Sequence, residues 1–397
     1  MDIEDAHVGR RVREVRKWRG KSLEVTAGLA GMSTSYLSLI ERGRRPVTTR
    51  STLEKIAHAL RVSPAELTGK PYVPSDEVSA AAAAQMAAMG DALTGWWVGE
   101  TPEVPVRPWP AVESDVALLT GRLRPSSDYA AQAVLLPNLL QELLIAVQSP
   151  EHRRAALVGL MDSYQAAANV ASRLGFPGMS TLAVERLRQA AEALAEPEYL
   201  GYAGWARAHA LSGTNRPRQY NLAVAVADDQ QSRTEVRGMA NLTAALACAA
   251  QNQPDAAETH LSEAADLAKR IEPDVSPWGH MQFGRTNVGI WRVAIGVELG
   301  KGAKVAEIAA GVHPETITKS RAGAFFIDLG RGLVSEKKSR EQGISALIRA
   351  EKIAPQQFSN NVFARETVAD LLYSAQREAG GRELRYLAWR LRIAPTG

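Results

Sequence analysis

Between Ser33 and Arg50 the chain reads STSYLSLIERGRRPVTTR. Two kinds of chemistry stand side by side in it. Thr34, Ser35 and Ser38 carry short hydroxyls that both donate and accept, and Leu39 adds an apolar tip. Arg42, Arg44, Arg45 and Arg50 follow directly. Hydroxyls at one end of a short helix suit the edges of bases, and a leucine suits a thymine methyl. The arginines suit phosphates, which would position the segment and give salt-dependent affinity. Short side chains discriminate weakly between bases, so part of any specificity would come from DNA shape. These are the residue types that base edges and phosphates call for; which of them face DNA depends on how the segment folds and docks.

Positioning such groups requires a compact set of helices, and residues 7–67 supply their signals. A first helix over about His7 to Trp18 places Val8, Val12 and Val15 on one face, with Gly20 as its stop. Ser22 caps a second helix running to Leu29, with Val25 in its apolar row. Gly31 breaks it, and Met32 fills the turn. Ser33 caps a third helix, Thr34 to Arg42, with Leu37 and Ile40 inward and Gly43 ending it. A fourth, about Ser51 to Leu60, buries Leu53, Ile56, Ala57 and Leu60. Ser63-Pro64-Ala65-Glu66 is a capping signature that starts a short fifth helix ending near Leu67.

With Gly9, Arg16, Ser22, Ala27, Gly31, Ser33, the run Ile40-Glu41-Arg42-Gly43-Arg44-Arg45, Leu53, Ile56, Ala57, Leu60 and Val62, this segment resembles the Xre, or lambda repressor/Cro-like, helix-turn-helix domain. The resemblance implies that the third helix enters the major groove with its N-terminal residues on base edges, which gives base contacts from Thr34, Ser35, Ser38 and Leu39 and phosphate contacts from Arg42, Arg44, Arg45 and Arg50. It also implies that Arg16 and Glu41 form a structural pair tying the first helix to the third. A guanidinium fork and a carboxylate satisfy each other bidentately, which agrees with that role. Leu23 departs from the pattern, because the family usually has glutamine there to brace a phosphate.

The bulk numbers agree with a split molecule. A chain of 397 residues is long for one core. Residues 1–70 hold 14 Lys or Arg against 8 Asp or Glu, while the remainder is nearly balanced, so the positive charge sits where the DNA signals lie. The lone cysteine, Cys248, lies in an alanine-rich helical pattern and reads as a small buried apolar residue. There is no phosphate-cradling glycine motif, nucleophile elbow or metal-ligand spacing, so no catalytic residue, metal or cofactor is expected, and the protein is not expected to be an enzyme. No secretory signal is evident. The apolar run at 135–147 is short and interrupted, so no membrane span is expected and the chain is read as cytoplasmic.

Residues 71–113 read as a connecting stretch. Prolines and a glycine occupy Thr68 to Glu77, an alanine-rich helix covers about Val78 to Leu93, and Trp96, Trp97 and Trp109 stand among prolines. From 114 to 397 the pattern is helical almost throughout, with little sheet expected. Turns fall near Gly213-Thr214, Asn252-Gln253-Pro254, Gly300-Lys301-Gly302, Glu336-Lys337-Lys338 and Gly380-Gly381, at intervals typical of helical-hairpin solenoids. In the unit Gly238 to Lys269, Ala245, Ala257, Leu261 and Ala264 have the sizes a tetratricopeptide repeat needs. Gly343, Leu347, Ala350 and Pro355 repeat the spacing in the unit Ala324 to Pro355. There Arg331 departs, standing where a small residue is usual.

The expected fold is therefore all-α, with a five-helix lambda-repressor-like DNA-binding domain at 1–70, a linker at 71–113 and a solenoid resembling tetratricopeptide repeats at 114–397. Together the parts resemble bacterial Xre-type regulators, whose best-understood relatives bind signalling peptides in the repeat groove. That resemblance implies a transcriptional regulator acting as a homodimer on an inverted-repeat operator in double-stranded DNA, with a peptide or small molecule as its signal. Repression needs only occupancy and is the expectation, though activation stays open. The candidate ligand residues are Asn241, Arg285, Asn287, Trp291 and Arg292, because asparagine amides grip a peptide backbone and arginines a carboxylate. Tyr199, Tyr202 and Trp205 form a second aromatic group consistent with inter-repeat packing. The competing reading is an adaptor whose repeats recruit another protein, with DNA binding secondary or absent.

Overall fold

The computed structural model describes residues 8–68, 77–212, 215–375, 382–391 and 393. Within them the chain is all-helical, and no strand forms beyond two isolated bridges. The end of the expected DNA-binding domain at 69–70, residues 71–76 of the expected linker and the expected turns at Gly213-Thr214 and Gly380-Gly381 lie outside the described residues.

Five helices open the chain: α1 (Val8–Trp18), α2 (Leu23–Leu29), α3 (Thr34–Glu41), α4 (Arg50–Leu60) and α5 (Pro64–Leu67). Their boundaries follow from local chemistry. The hydroxyls of Ser22, Ser33, Thr49 and Ser63 accept backbone N–H groups of the first turns of α2 to α5, and Ser63 with Glu66 completes a capping box. Gly20, Gly31 and Gly43 adopt positive φ at the breaks, where a side chain would be strained. Val8, Val12, Val15, Ala27, Leu37, Ile40, Val47, Leu53, Ile56, Leu60 and Leu67 make the core. Met32 and Tyr36 pack against it from the turn and from α3. Val25 does not, and faces solvent with Leu29; Thr26 and Ala27 take the inner row of α2 instead.

Next come α6 (Glu77–Ala84) and α7 (Met86–Gly95), two helices where the alanine-rich pattern predicted one, and then α8 (Trp109–Leu118), which runs into a π turn at Leu119–Leu123. Between α7 and α8 the proline-rich strip crosses the surface. Trp96 packs on the core, Trp109 stacks on His152 with ring centroids 4.8 Å apart, and Trp97 stays exposed beside Arg186. Arg107 fixes the strip by donating to Glu142 and Asp115.

The remaining helices pack in succession: α9 (Tyr129–Ala146), α10 (Arg153–Leu174), α11 (Pro177–Leu194), α12 (Pro197–Ala210), α13 (Arg216–Asp228), α14 (Thr234–Ala250), α15 (Pro254–Ala268), α16 (Arg285–Glu298), α17 (Val305–Ala309), α18 (Lys319–Leu333), α19 (Arg340–Ile353), α20 (Pro355–Ser359), α21 (Val362–Ala375) and α22 (Arg382–Arg390). The pairs α10 with α11, α14 with α15 and α18 with α19 make the most extensive helix–helix contacts. Helix α9 is long and apolar enough to cross a membrane by length and composition, but it is a core helix here: Leu136, Leu139, Leu140, Leu143 and Leu144 are fully buried.

Small residues let the hairpin helices approach. Ala245, Ala257 and Ala264 are wholly buried between α14 and α15. Where α18 crosses α19, a Cβ built on Gly330 would lie 2.7 Å from Leu347 Cγ, and one on Gly343 would lie 2.8 Å from the backbone nitrogen of Val334. Helix α16 serves two cores. Val288, Trp291 and Ile295 join the cluster that extends back to α6, while Ile290, Val293 and Val297 join the one that extends to Ile393. It is the seam at which one half of the helical array is packed onto the other.

Candidate nucleic-acid interface

Arg16 of α1 reaches under α3. Its Nε donates to Glu41 Oε1 at 2.5 Å, its Nη2 to Oε2 at 2.7 Å, and its Nη1 to the carbonyl of Lys21 at 2.9 Å. The bond to Glu41 raises the guanidinium pKa above its ordinary value, against the opposing effect of burial. Lys21 Nζ and Arg19 Nη2 donate to the carbonyls of Ala59 and Arg61 at the end of α4, where cations complement the negative pole of the helix. Side chains of α1 and of the turn after it thus tie α1, α3 and α4 together and make no bond to the outer face of α3.

On that face Ser35 is exposed, and Thr34, Ser38 and Leu39 are partly so. Arg42, Arg44 and Arg45 are exposed at the helix end and in the loop beyond, with Arg42 Nε donating to the Ser38 carbonyl at 3.1 Å. Hydroxyls, one leucine tip and three guanidinium groups are therefore reachable from solvent along α3 and the loop beyond it. That is the donor and acceptor set for base edges flanked by phosphates.

Arg50 is placed differently from the other three arginines. Its Nη1 donates to Glu298 Oε1 at 2.6 Å and its backbone N–H to Oε2 at 2.7 Å. In this arrangement it faces the helical-repeat-like region and not open solvent. Arg331 Nη2 donates to the carbonyl of Thr48 and to Glu298 Oε1. Arg216 Nε donates to Glu54 Oε1 at 2.6 Å, and the Val8 N–H to Glu366 Oε1 at 3.3 Å. Val362 and Phe363 pack against the apolar core of the five-helix domain. The array thus grips the domain through α1, α4 and the loop before α4, and Ser35, Arg42, Arg44 and Arg45 remain exposed.

The five candidate ligand residues do not share one open face. Asn287 is fully buried and accepts from Arg321 Nε at 2.9 Å. Asn241 donates to the Arg237 carbonyl and bonds the His260 ring. Trp291 is buried, with the Arg321 guanidinium 5.5 Å from its ring. Arg285 is paired with Glu272 and Asp274, and Arg292 with Glu258. Helical spacing did bring Asn287 and Trp291 together, but around Arg321, which the sequence reading did not single out.

A cavity of about 180 Å3 opens elsewhere, lined by Val158, Met161, Asp162, Tyr199, Tyr202, Gly279 and His280. Asp162 Oδ1 accepts from Arg124 Nη1 at 3.1 Å, and Oδ2 lies 3.7 Å from His280 Nε2. The Tyr202 hydroxyl is shut off from water with no hydrogen-bond partner. Burial lowers the His280 pKa, with Asp162 opposing, and raises the Tyr199 pKa. Trp278 packs on both tyrosines, and Tyr202 on Trp205. The expected aromatic group therefore packs as inter-helix contacts but also walls a space. The left-handed backbone at Gly279, His280 and Gln282 had no sequence signal beyond the single glycine.

Among the described residues no His, Cys, Asp and Glu cluster could hold a metal ion. Cys248 is buried, and burial pushes its thiol up to about 11, away from a reactive thiolate.

Comparison with known proteins agrees with the N-terminal geometry. A family model described as a helix-turn-helix domain matches residues 7–68, the stretch that folds into α1 to α5. That match supports a DNA-binding regulator in general. No curated protein and no solved structure matches the chain.

Proposed function

We propose that this protein is a sequence-specific transcriptional regulator of the Xre type, in which the repeat-like array controls how the reading domain is presented. The observation that carries the reading is the outward face of α3, where Thr34, Ser35, Ser38 and Leu39 stand beside exposed Arg42, Arg44 and Arg45. One short reading helix per chain favours a homodimer on an inverted repeat, with two such helices about one helical turn (~34 Å) apart. Repression by occupancy is the simplest outcome. The tetratricopeptide-like array supplies dimerisation and signal binding, in a cytoplasmic bacterial protein that binds rather than catalyses. For the signal, the cavity beside Asp162 and Tyr202 is favoured over the Asn241 to Arg292 patch, because the buried Tyr202 hydroxyl has unused bonding capacity beside an open space, whereas the asparagine and arginine side chains of the patch are committed internally.

The test is binding to duplexes selected from a random pool, measured across a salt series. Arg44→Ala with Arg45→Ala is expected to weaken binding to all sequences alike and to reduce the log–log salt slope by about 2. Thr34→Ala with Ser35→Ala is expected to flatten the preference among sequences and leave the salt slope in place. Selection of no consensus, with neither double change affecting retention, would refute sequence-specific reading and favour the adaptor alternative.

A further inference from the structure

The contact at the start of α4 has the form of a competition. The Glu298 side chain is entirely removed from solvent. It holds the backbone N–H and the guanidinium of Arg50, together with the guanidinium of Arg331. Phe363 lies against both cations, 5.3 Å from the Arg50 guanidinium carbon and 4.9 Å from that of Arg331. A buried carboxylate is costly unless its partners are in place, so this one has been given a main-chain donor at a helix start and two forks. A phosphate oxygen would seek the same donors on Arg50. Arg50 follows in the chain directly after the loop that carries the exposed Arg44 and Arg45.

The contact is also built to separate. When the two parts part company, Glu298, Arg331 and Arg216 on the array side each keep a partner of their own. Glu298 keeps Arg331, Arg331 keeps Asp328 at 2.5 Å, and Arg216 keeps Gln219 and Ser212. On the other side Arg50 and Glu54 return to water or to DNA. Even when docked, the buried Arg331 Nε has no hydrogen-bond partner, so the closed arrangement does not satisfy every group it buries.

We propose that Glu298 is an autoinhibitory contact: it occupies the donors with which Arg50 would bind a DNA phosphate, so that duplex DNA and the helical array compete for the start of α4. The proposal rests on the DNA-reading function above. It makes the array a brake on affinity, and any ligand that prefers the undocked arrangement would release that brake.

The experiment measures anisotropy of a labelled duplex, chosen by selection from a random pool, against the full-length wild type, Glu298→Gln, Arg50→Gln and the double variant over a salt series. Glu298→Gln is expected to tighten binding roughly tenfold and to steepen the salt slope by about one, the signature of one more phosphate contact. Arg50→Gln is expected to cost more in the Glu298→Gln background than in the wild type, so the two changes are non-additive. Equal affinity of wild type and Glu298→Gln, a looser Glu298→Gln, or simple additivity overturns the proposal and leaves DNA reading intact. If no variant retains any duplex, both fall. Should Glu298→Gln fail to fold, amide hydrogen exchange on the wild type decides the matter. Saturating DNA should speed exchange at residues 296–300 and 330–334, and unchanged protection there overturns the proposal.

Discussion

Single residues divide into those whose role is set by neighbours in sequence and those set by distant partners. Arg16 belongs to the second kind, since its partner Glu41 lies 25 positions away. Truncating one partner of such a shielded pair leaves a charge uncompensated, which costs more than the pair itself contributes. His209 makes the same point for protons. Its ring stacks on Trp205, its Nδ1 is shut off without a partner, and burial together with Arg173, Arg321, Arg216 and Arg50 holds its pKa down at about 4. The unfolded chain takes up a proton near the ordinary histidine value of about 6.5, and the folded chain refuses it. The stability contributed by keeping this ring neutral is therefore complete above that value and is lost as pH falls toward 4, by up to about 3 kcal/mol. Urea midpoints at pH 7, 5.5 and 4.5 should fall more steeply for the wild type than for His209→Phe. Parallel declines would show that another group sets the acid sensitivity.

At the scale of elements, helix starts and stops follow local chemistry, whereas helix contacts follow size. Ser22, Ser33 and Ser63 cap where their spacing indicated, because a cap bonds only the next turn. Gly343 is different, since its worth lies in a neighbour. A methyl there would press on the Val334 nitrogen and on the Gly330 carbonyl, atoms of backbone that cannot rotate away. Gly343→Ala should cost about 1–3 kcal/mol by overpacking, read as a lower thermal midpoint with faster amide exchange in α18 and α19. An unchanged midpoint would mean that the two helices slide apart freely at this crossing.

For the whole molecule, the question is how firmly the five-helix domain is held. Phe363 belongs to α21 yet packs on the apolar core of that domain and lies against both Arg50 and Arg331. Phe363→Ala removes the ring from all three contacts while leaving α3 untouched. It should loosen the docking, seen as a larger radius of gyration in solution scattering and as faster exchange at the start of α4. If dimensions and exchange both match the wild type, the ion pairs alone hold the domain. Acid should loosen it too. Burial pushes the Glu298 carboxyl up, but Arg50 and Arg331 outweigh this and hold it below the ordinary carboxylate range, so the contact persists until pH falls beneath that range.

The sequence by itself determined the all-helical class and the limits of α1 to α5 to within a residue or two, and it nominated Thr34 to Arg45 as the DNA-facing stretch of the function proposed above. Those features depend on capping, glycine breaks and the 3.6-residue period, all of which act over one or two turns. Arg331 was visible only as a departure from the small-residue pattern, and Arg50 only as one more basic residue near others. Their meeting at Glu298 was decided by tertiary structure, as was the pairing of Arg321 with Asn287 and Trp291 and the space beside Asp162. A buried charge acquires its partners from other helices, as Glu298 does from Arg331 and from Arg50, 248 residues away, and that choice is set by how whole helices stack, which no local period encodes.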